Sequence, residues 1–409
     1  MRHILIIITL CIATVCSWAQ MPSDSIVMNK LKQMGAPLTY NNKVKLLMNG
    51  HDKFIDLFDA IRSARHHIHL EYFNFRNDSI ANALFDLLAQ KAAEGVEVRA
   101  LFDAFGNWSN SRPLKKKHLE AIRKRGIEIV KFDPITFPWF NHAAHRDHRK
   151  IVVIDGKIGY TGGMNIADYY IKGRPKIGEW HDIHARIDGD AVRYLQGIFL
   201  TMWNRETGQH IGGPEYFPDT PQLPDSIAEE IMIVDRTPCE TPRSISRAYA
   251  TSIRAADSLI RIVNPYFVPT KSIREALKYA LKKGTQVEIM VPKVSDVPFT
   301  PEAAFYILHK LMKKGAKVYL FNGGFHHSKV MMVDDSFCTV GTANLNSRSL
   351  RYDYETNAFI FDPVTTAELT KMFEHDKRRS TLLTPEVWKE RSAWKKFVGW
   401  FGNLFTPFL

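Results

Sequence analysis

The sequence predicts an α/β protein built from two similar layered domains packed about a pseudo-twofold axis. Three observations lead there. At 409 residues the chain exceeds one typical core. One short pattern occurs twice, 179 residues apart. Around each copy, apolar residues at helical spacing alternate with short β-type runs, which implies helices over a mainly parallel or mixed sheet.

Residues 1–19 read as a secretory signal peptide. Arg2 and His3 precede the apolar run ILIIITLCIATVC, and Ser17 and Ala19 are small enough for cleavage after Ala19. An uncleaved N-terminal anchor is the alternative, although the run is short for a span. Cys16 is not preceded by a good lipoprotein pattern, so Cys239 and Cys338 remain in the mature chain. One pair makes no disulfide framework, and Cys338 reads as a small buried strand residue.

The first domain is expected over 20–207. HHIHLEYF (66–73) opens it as a strand; SIANALFDLLAQKAAEGVEVRALFD (79–103) and HLEAIRKRGIEIVKF (118–132) each read helix, glycine stop, strand. HRKIVVID (148–155) follows. Residues 208–226, GQHIGGPEYFPDTPQLPDS, have no period and many Gly and Pro, and read as the linker. The second domain, 227–390, repeats the order with LIRIVNPYF (259–267), SIREALKYALKKGTQVEIMVPK (272–293), AFYILHKLMKKGAKVYLF (304–321) and HSKVMMVD (327–334). Lys and Arg at the helix ends complement the helix dipole. The lysines Lys115–Lys117 meet anionic lipid or simply solvate a helix start.

Composition narrows the function. Hydrophobic and charged fractions of 45% and 24% exclude a disordered or multi-span chain. A net charge of +12 favours polyanions: nucleic acid, anionic headgroups or phosphorylated substrates.

The repeated pattern carries the chemistry. His148, Lys150, Asp155, Gly162 and Asn165 recur in register as His327, Lys329, Asp334, Gly341 and Asn344. Strand alternation points each His and Lys the same way. Two such halves meeting in one cleft bring two imidazoles and two ammonium groups together. One neutral His attacks phosphorus and the other protonates the leaving oxygen. Lys150, Lys329, Asn165 and Asn344 bind the non-bridging oxygens. No metal or other cofactor is required. Asp155 and Asp334 complete the signature set as hydrogen-bonding or ion-pairing supports at strand ends.

The paired motif resembles the HKD signature of the phospholipase D superfamily over essentially the whole chain after residue 19. HRKIVVIDGKIGYTGGMNIADYY, EWHDIHARIDG, NPYFVP and GTANLNSRSLRYDYETN resemble its bacterial cardiolipin synthase branch. The resemblance implies the phospholipase D fold, two α/β/α sandwiches, and transfer of a phosphatidyl group through a phosphohistidine, commonly between phosphatidylglycerol molecules. It also implies an acidic residue supporting each imidazole, for which Glu355 and Asp182 are the candidates. By the same analogy His148 is the nucleophile and His327 the acid. Membrane-bound members of that branch usually begin with two spanning helices; this chain shows a single short apolar run.

Other features weigh less. His142 and His145, with His66, His67 and His69, complete no zinc set and read as surface or loop residues. Phe137, Trp139 and Phe140 flank the cleft or pack beneath a loop. The tail 391–409, rich in Trp and Phe, suggests insertion into a membrane interface, with a packed final helix as the alternative. The expected protein is therefore a phosphatidyltransferase of the cell envelope, acting at a membrane surface on phospholipid, with no specific nucleic-acid partner. A phospholipase D in which water wins, a secreted nuclease of the same superfamily and a scaffold with a decayed site are the competing readings.

Overall fold

A computed structural model describes residues 22–134, 144–297 and 300–406. The apolar run 1–19, Phe137, Trp139, Phe140 and His142 lie outside the described residues.

Two mixed sheets of matching topology form the frame. The first has seven strands, in the order Asn42–Leu47, His184–Gly189, Ile158–Gly162, Lys150–Ile154, His67–Tyr72, Glu97–Asp103 and Glu128–Phe132. In the second, Glu230–Arg236, Glu355–Phe361, Phe337–Gly341, Val330–Val333, Leu259–Val263, Gln286–Pro292 and Lys317–Phe321 run in the corresponding order. Strands Leu38–Thr39 and Ser380–Leu382 border that second sheet to make nine. Only the last three of the seven common strands pair in parallel. Of the two arrangements expected, mainly parallel or mixed, the sheet is thus the mixed one. Its His/Lys strand turns back through a tight hairpin, and a hairpin can only make antiparallel partners.

Each half also begins earlier than its sequence suggests. A strand and a helix, Gly50–Ser63 in one half and Ser244–Ala255 in the other, precede the strands His67–Tyr72 and Leu259–Val263. Asn49 caps the first of these helices by accepting from the amide of Asp52 at 2.9 Å.

The expected first domain of 20–207 needs a further correction. Helix Ser23–Gln33 buries Val27 and Leu31 in the second domain's core, and Leu38–Thr39 pairs with Glu230–Arg236. The N-terminal segment therefore belongs to the far half, because the apolar stripe on Ser244–Ala255 is where its own stripe can be buried. Residues 208–229 contain no strand, only the short 3-10 turn Pro214–Tyr216.

The run of apolar residues after each His/Lys pair packs on both faces. Val152 and Ile154 join the core under the first domain's own helices, while Ile151 and Val153 meet Val330 and Met332 in a core shared by the two sheets. A strand buried on both faces reads as continuous apolar sequence. Cys338 lies in this shared core, where burial pushes its thiol up to about 12; Cys239 is exposed, and both are free.

Candidate active site

The two sheets bring the His/Lys pairs to one cleft of about 580 Å³, whose walls include His148, His327, Asn165 and Asn344. What places each histidine is backbone from the other domain. His148 donates its amide to the carbonyl of Tyr354 at 3.0 Å, and His327 donates to the carbonyl of His181 at 2.6 Å. The residue after each carbonyl is an acid, Glu355 or Asp182. That acid's carboxylate then reaches the imidazole it has been brought beside.

The resulting pairs cross between domains. His148 Nδ1 lies 2.9 and 3.1 Å from the Glu355 carboxylate oxygens, and His327 Nδ1 lies 2.7 Å from Asp182 Oδ2. With Nδ1 engaged, Nε2 is the ring atom left for chemistry in the cleft. Asp182 is buried and also accepts from the amide of Ile183 at 2.8 Å. Gly163 makes room for it, since a Cβ there would fall 2.1 Å from Asp182 Oδ1. Burial pushes the Glu355 carboxyl up, but His148 and Lys150 face it and hold it below the usual range. The Thr342 hydroxyl donates to it as well.

The electrostatics favour an anion. Burial is the largest influence on all four motif groups. It lowers His148 to about 4 and His327 to about 3, with the lysines adding to the effect and the two carboxylates opposing it. Lys150 falls to about 8 and Lys329 to about 7. Lys150 Nζ donates to the His148 carbonyl at 2.5 Å, and Lys329 Nζ sits 2.8 Å from His327 Nδ1. The cleft thus sets two imidazoles that burial keeps neutral beside two poorly solvated lysines, whose charged form a phosphodiester anion would stabilise.

Asp155 and Asp334, counted with the signature set in the sequence, stand at the far end of their strands and outside the cleft. Each opens a tight turn with left-handed φ, 52° at Asp155 and 51° at Asp334, a conformation that Asp tolerates better than most residues. Asp155 accepts from the amides of Arg65, His66 and His67 at 2.8–3.0 Å; Asp334 accepts from those of Asp257, Ser258 and Leu259 at 2.7–2.9 Å. They pin the next strand to the hairpin, so they are supports and not catalytic groups.

His67 and His69 need the opposite correction. Both are buried in their strand, not at the surface, with His69 stacked on Phe199 at 4.4 Å and His67 near Tyr216 at 5.0 Å. His145 does lie in a loop and contacts the Tyr352 carbonyl. Among the described residues no group of three His, Cys, Asp or Glu is arranged to hold a metal. Sequence reasoning missed Arg174, whose guanidinium lies 4.1 Å over Tyr169 and 4.7 Å over Trp180 in the cleft wall. It also missed Tyr266, which donates to Asp296 at 2.7 Å there. Arg174 lies outside the repeat, and although Tyr266 falls in NPYFVP, no periodicity singles out either residue.

The family model described as "Cardiolipin synthase, PLD-like domain" matches residues 57–179 and again 249–377, one copy around each His/Lys pair. The chain belongs to this family. It is 37% identical over 378 residues to a cardiolipin synthase of Listeria monocytogenes serotype 4a, covering 92% of this chain and 77% of that protein. A cardiolipin synthase of Halalkalibacterium halodurans is 35% identical over 375 residues, covering 91% and 73%. Among solved structures, the phosphatidylserine synthase of Haemophilus influenzae Rd KW20 superposes with a TM-score of 0.71 at 14% identity, over 93% of this chain and 99% of that one. The polyphosphate kinase of Porphyromonas gingivalis gives 0.53 at 15% identity, over 81% of this chain and 50% of that one. Those two likenesses are of fold alone. Two such different enzymes on one fold leave the choice of substrate to the cleft.

Proposed function

We infer that this member of the cardiolipin synthase family moves a phosphatidyl group between phospholipids, with phosphatidylglycerol as donor and acceptor. The crossed His–carboxylate pairs facing one basic cleft carry this reading. In the first step His148 Nε2 attacks the donor's phosphorus. The P–O bond to the departing glycerol breaks, and His327 gives that oxygen its proton. The diester's charge offsets Lys329, one of the groups holding His327 down, and so raises the proton affinity the acid needs. In the second step an acceptor hydroxyl attacks the phosphohistidine, the P–N bond breaks, and His327 takes the hydroxyl proton back. Lys150, Lys329, Asn165 and Asn344 hold the non-bridging oxygens throughout. Substrates that lie in a bilayer, together with the apolar run 1–19 read as an export or anchoring segment, support action at a membrane surface of the cell envelope.

The test is mass spectrometry of lipids after incubation with phosphatidylglycerol vesicles. Cardiolipin plus glycerol supports transfer; phosphatidic acid supports a hydrolase instead. His148→Ala and His327→Ala should each abolish turnover, by 10³-fold or more on the order of other nucleophile–base pairs, with circular dichroism unchanged. Substantial activity in either variant would reject the two-histidine route. Trapping the phosphatidyl-histidine without acid, which would cleave its P–N bond, identifies which histidine attacks.

A further inference from the structure

The second domain carries a surface for which the cleft has no use. Helix Ala393–Leu404 sits on helix Thr300–Met312 through its glycines. Gly399 is its buried residue, and a Cβ there would fall 2.5 Å from the Glu302 carbonyl oxygen; Gly402 lies against Ala303. With the glycines turned inward, the large side chains face out. Trp394 is 70% exposed, and Phe397, Trp400, Phe401, Leu404 and Phe405 are each about half exposed. Rings 394, 397, 401 and 405 follow one another at centroid distances of 5.7, 6.2 and 5.1 Å, forming a continuous ridge. Among the described residues no helix is long and apolar enough to cross a membrane, so such a ridge suits the interface plane.

Beside the ridge lies a pocket of about 280 Å³ between helices Lys271–Lys283, Thr300–Met312 and Ala393–Leu404. Lys271, Arg274, Lys278 and Lys310 line it, with Glu275 as the one carboxylate among its lining residues, bonded to Lys278 at 2.9 Å. Lys395 and Lys396 add charge on the ridge helix itself. Cations next to exposed aromatic rings match the two parts of an anionic phospholipid. A second copy of this face would bring like charge against like. The surface also adjoins the active site: Val297 lines the cleft, and helix Thr300–Met312 begins three residues later.

We propose that the face made by helix Ala393–Leu404 and the basic pocket beside it docks the protein on an anionic phospholipid bilayer. The pocket takes a headgroup phosphate and the ridge enters the acyl boundary, which sets the mouth of the cleft at the lipid surface. The proposal rests on the phosphatidyltransferase reading only for what the docked cleft then does.

The experiment uses the full chain and phosphatidylglycerol vesicles whose acyl chains carry bromine, a short-range quencher of tryptophan. In a Trp18→Phe background, which silences the apolar run 1–19, emission should fall by about two-sevenths, since Trp394 and Trp400 are then two of seven tryptophans, and phosphatidylcholine vesicles should leave it unchanged. Trp394→Phe with Trp400→Phe should remove the quenching while co-sedimentation persists. Replacing Lys271, Arg274 and Lys310 by Gln should weaken partitioning about fivefold per charge removed. Quenching that survives the Trp→Phe pair would place insertion elsewhere and overturn the proposal. So would absence of vesicle binding together with a concentration-dependent dimer that Phe401→Glu dissolves. Docking as expected with no lipid turned over would leave this surface standing and sink the catalytic reading.

Discussion

A lysine removed from water gives up its proton near neutrality, and Lys329, held at about 7, is such a lysine, with Lys150 at about 8. If both must be charged to hold the diester, kcat/KM should decline as pH rises from 7 towards 9. Stability should behave differently. The unfolded lysines stay protonated to about 10.4, so between pH 7 and 10 the unfolded state binds more protons and these two groups add stability as pH rises. Histidines with lowered pKa give the same sign at lower pH: from about 6.5 down towards 4, His148 and His67 remove stability as pH falls. A pH profile of kcat/KM measured beside one of Tm checks this. An alkaline loss of activity that tracks a falling Tm would attribute it to unfolding instead.

At the scale of the strand and hairpin, Asp155 and Asp334 are where the motif is structural. Asp334→Ala removes the carboxylate that lets Asp tolerate left-handed φ and strands three amides, a cost of about 2–3 kcal/mol. Urea unfolding should show it, with turnover per folded molecule nearly unchanged; a large loss of kcat at full stability would return Asp334 to the catalytic set. This is also the scale at which the sequence was most legible. The hairpin fixes five residues in register, so His148, Lys150, Asp155, Gly162 and Asn165 repeat without a gap. Helix and strand periods likewise located most elements. The strand–helix pair that opens each half was missed because NKVKLL alternates only weakly and its glycine sits inside the helix start. Glu355 and Asp182 were visible as candidates through resemblance, but their crossing was not: it depends on how two domains dock, which no local pattern encodes.

For the whole molecule the docking is held by buried charge as well as by the shared apolar core. Arg149, nearly fully buried, reaches both oxygens of Asp235 in the second domain at 2.8 and 2.5 Å, and Glu71 in its own at 3.4 Å. Removing one partner of such a set strands the rest. Arg149→Ala should therefore cost about 3–5 kcal/mol and abolish turnover by letting the halves part. Calorimetry would show the lowered Tm, and an unshifted Tm would mean that water already satisfies Asp235 and Glu71.

The crossed pairs also determine when activity can first arise. On a chain still being made, the first half can fold its sheet and present His148, yet Glu355 has not arrived and Asp182 has no imidazole to serve. A phosphodiester-attacking centre does not exist on that fragment. Reactivity begins only when the last strands of the second half close the interface, so an incomplete or truncated copy is chemically silent towards the lipids around it.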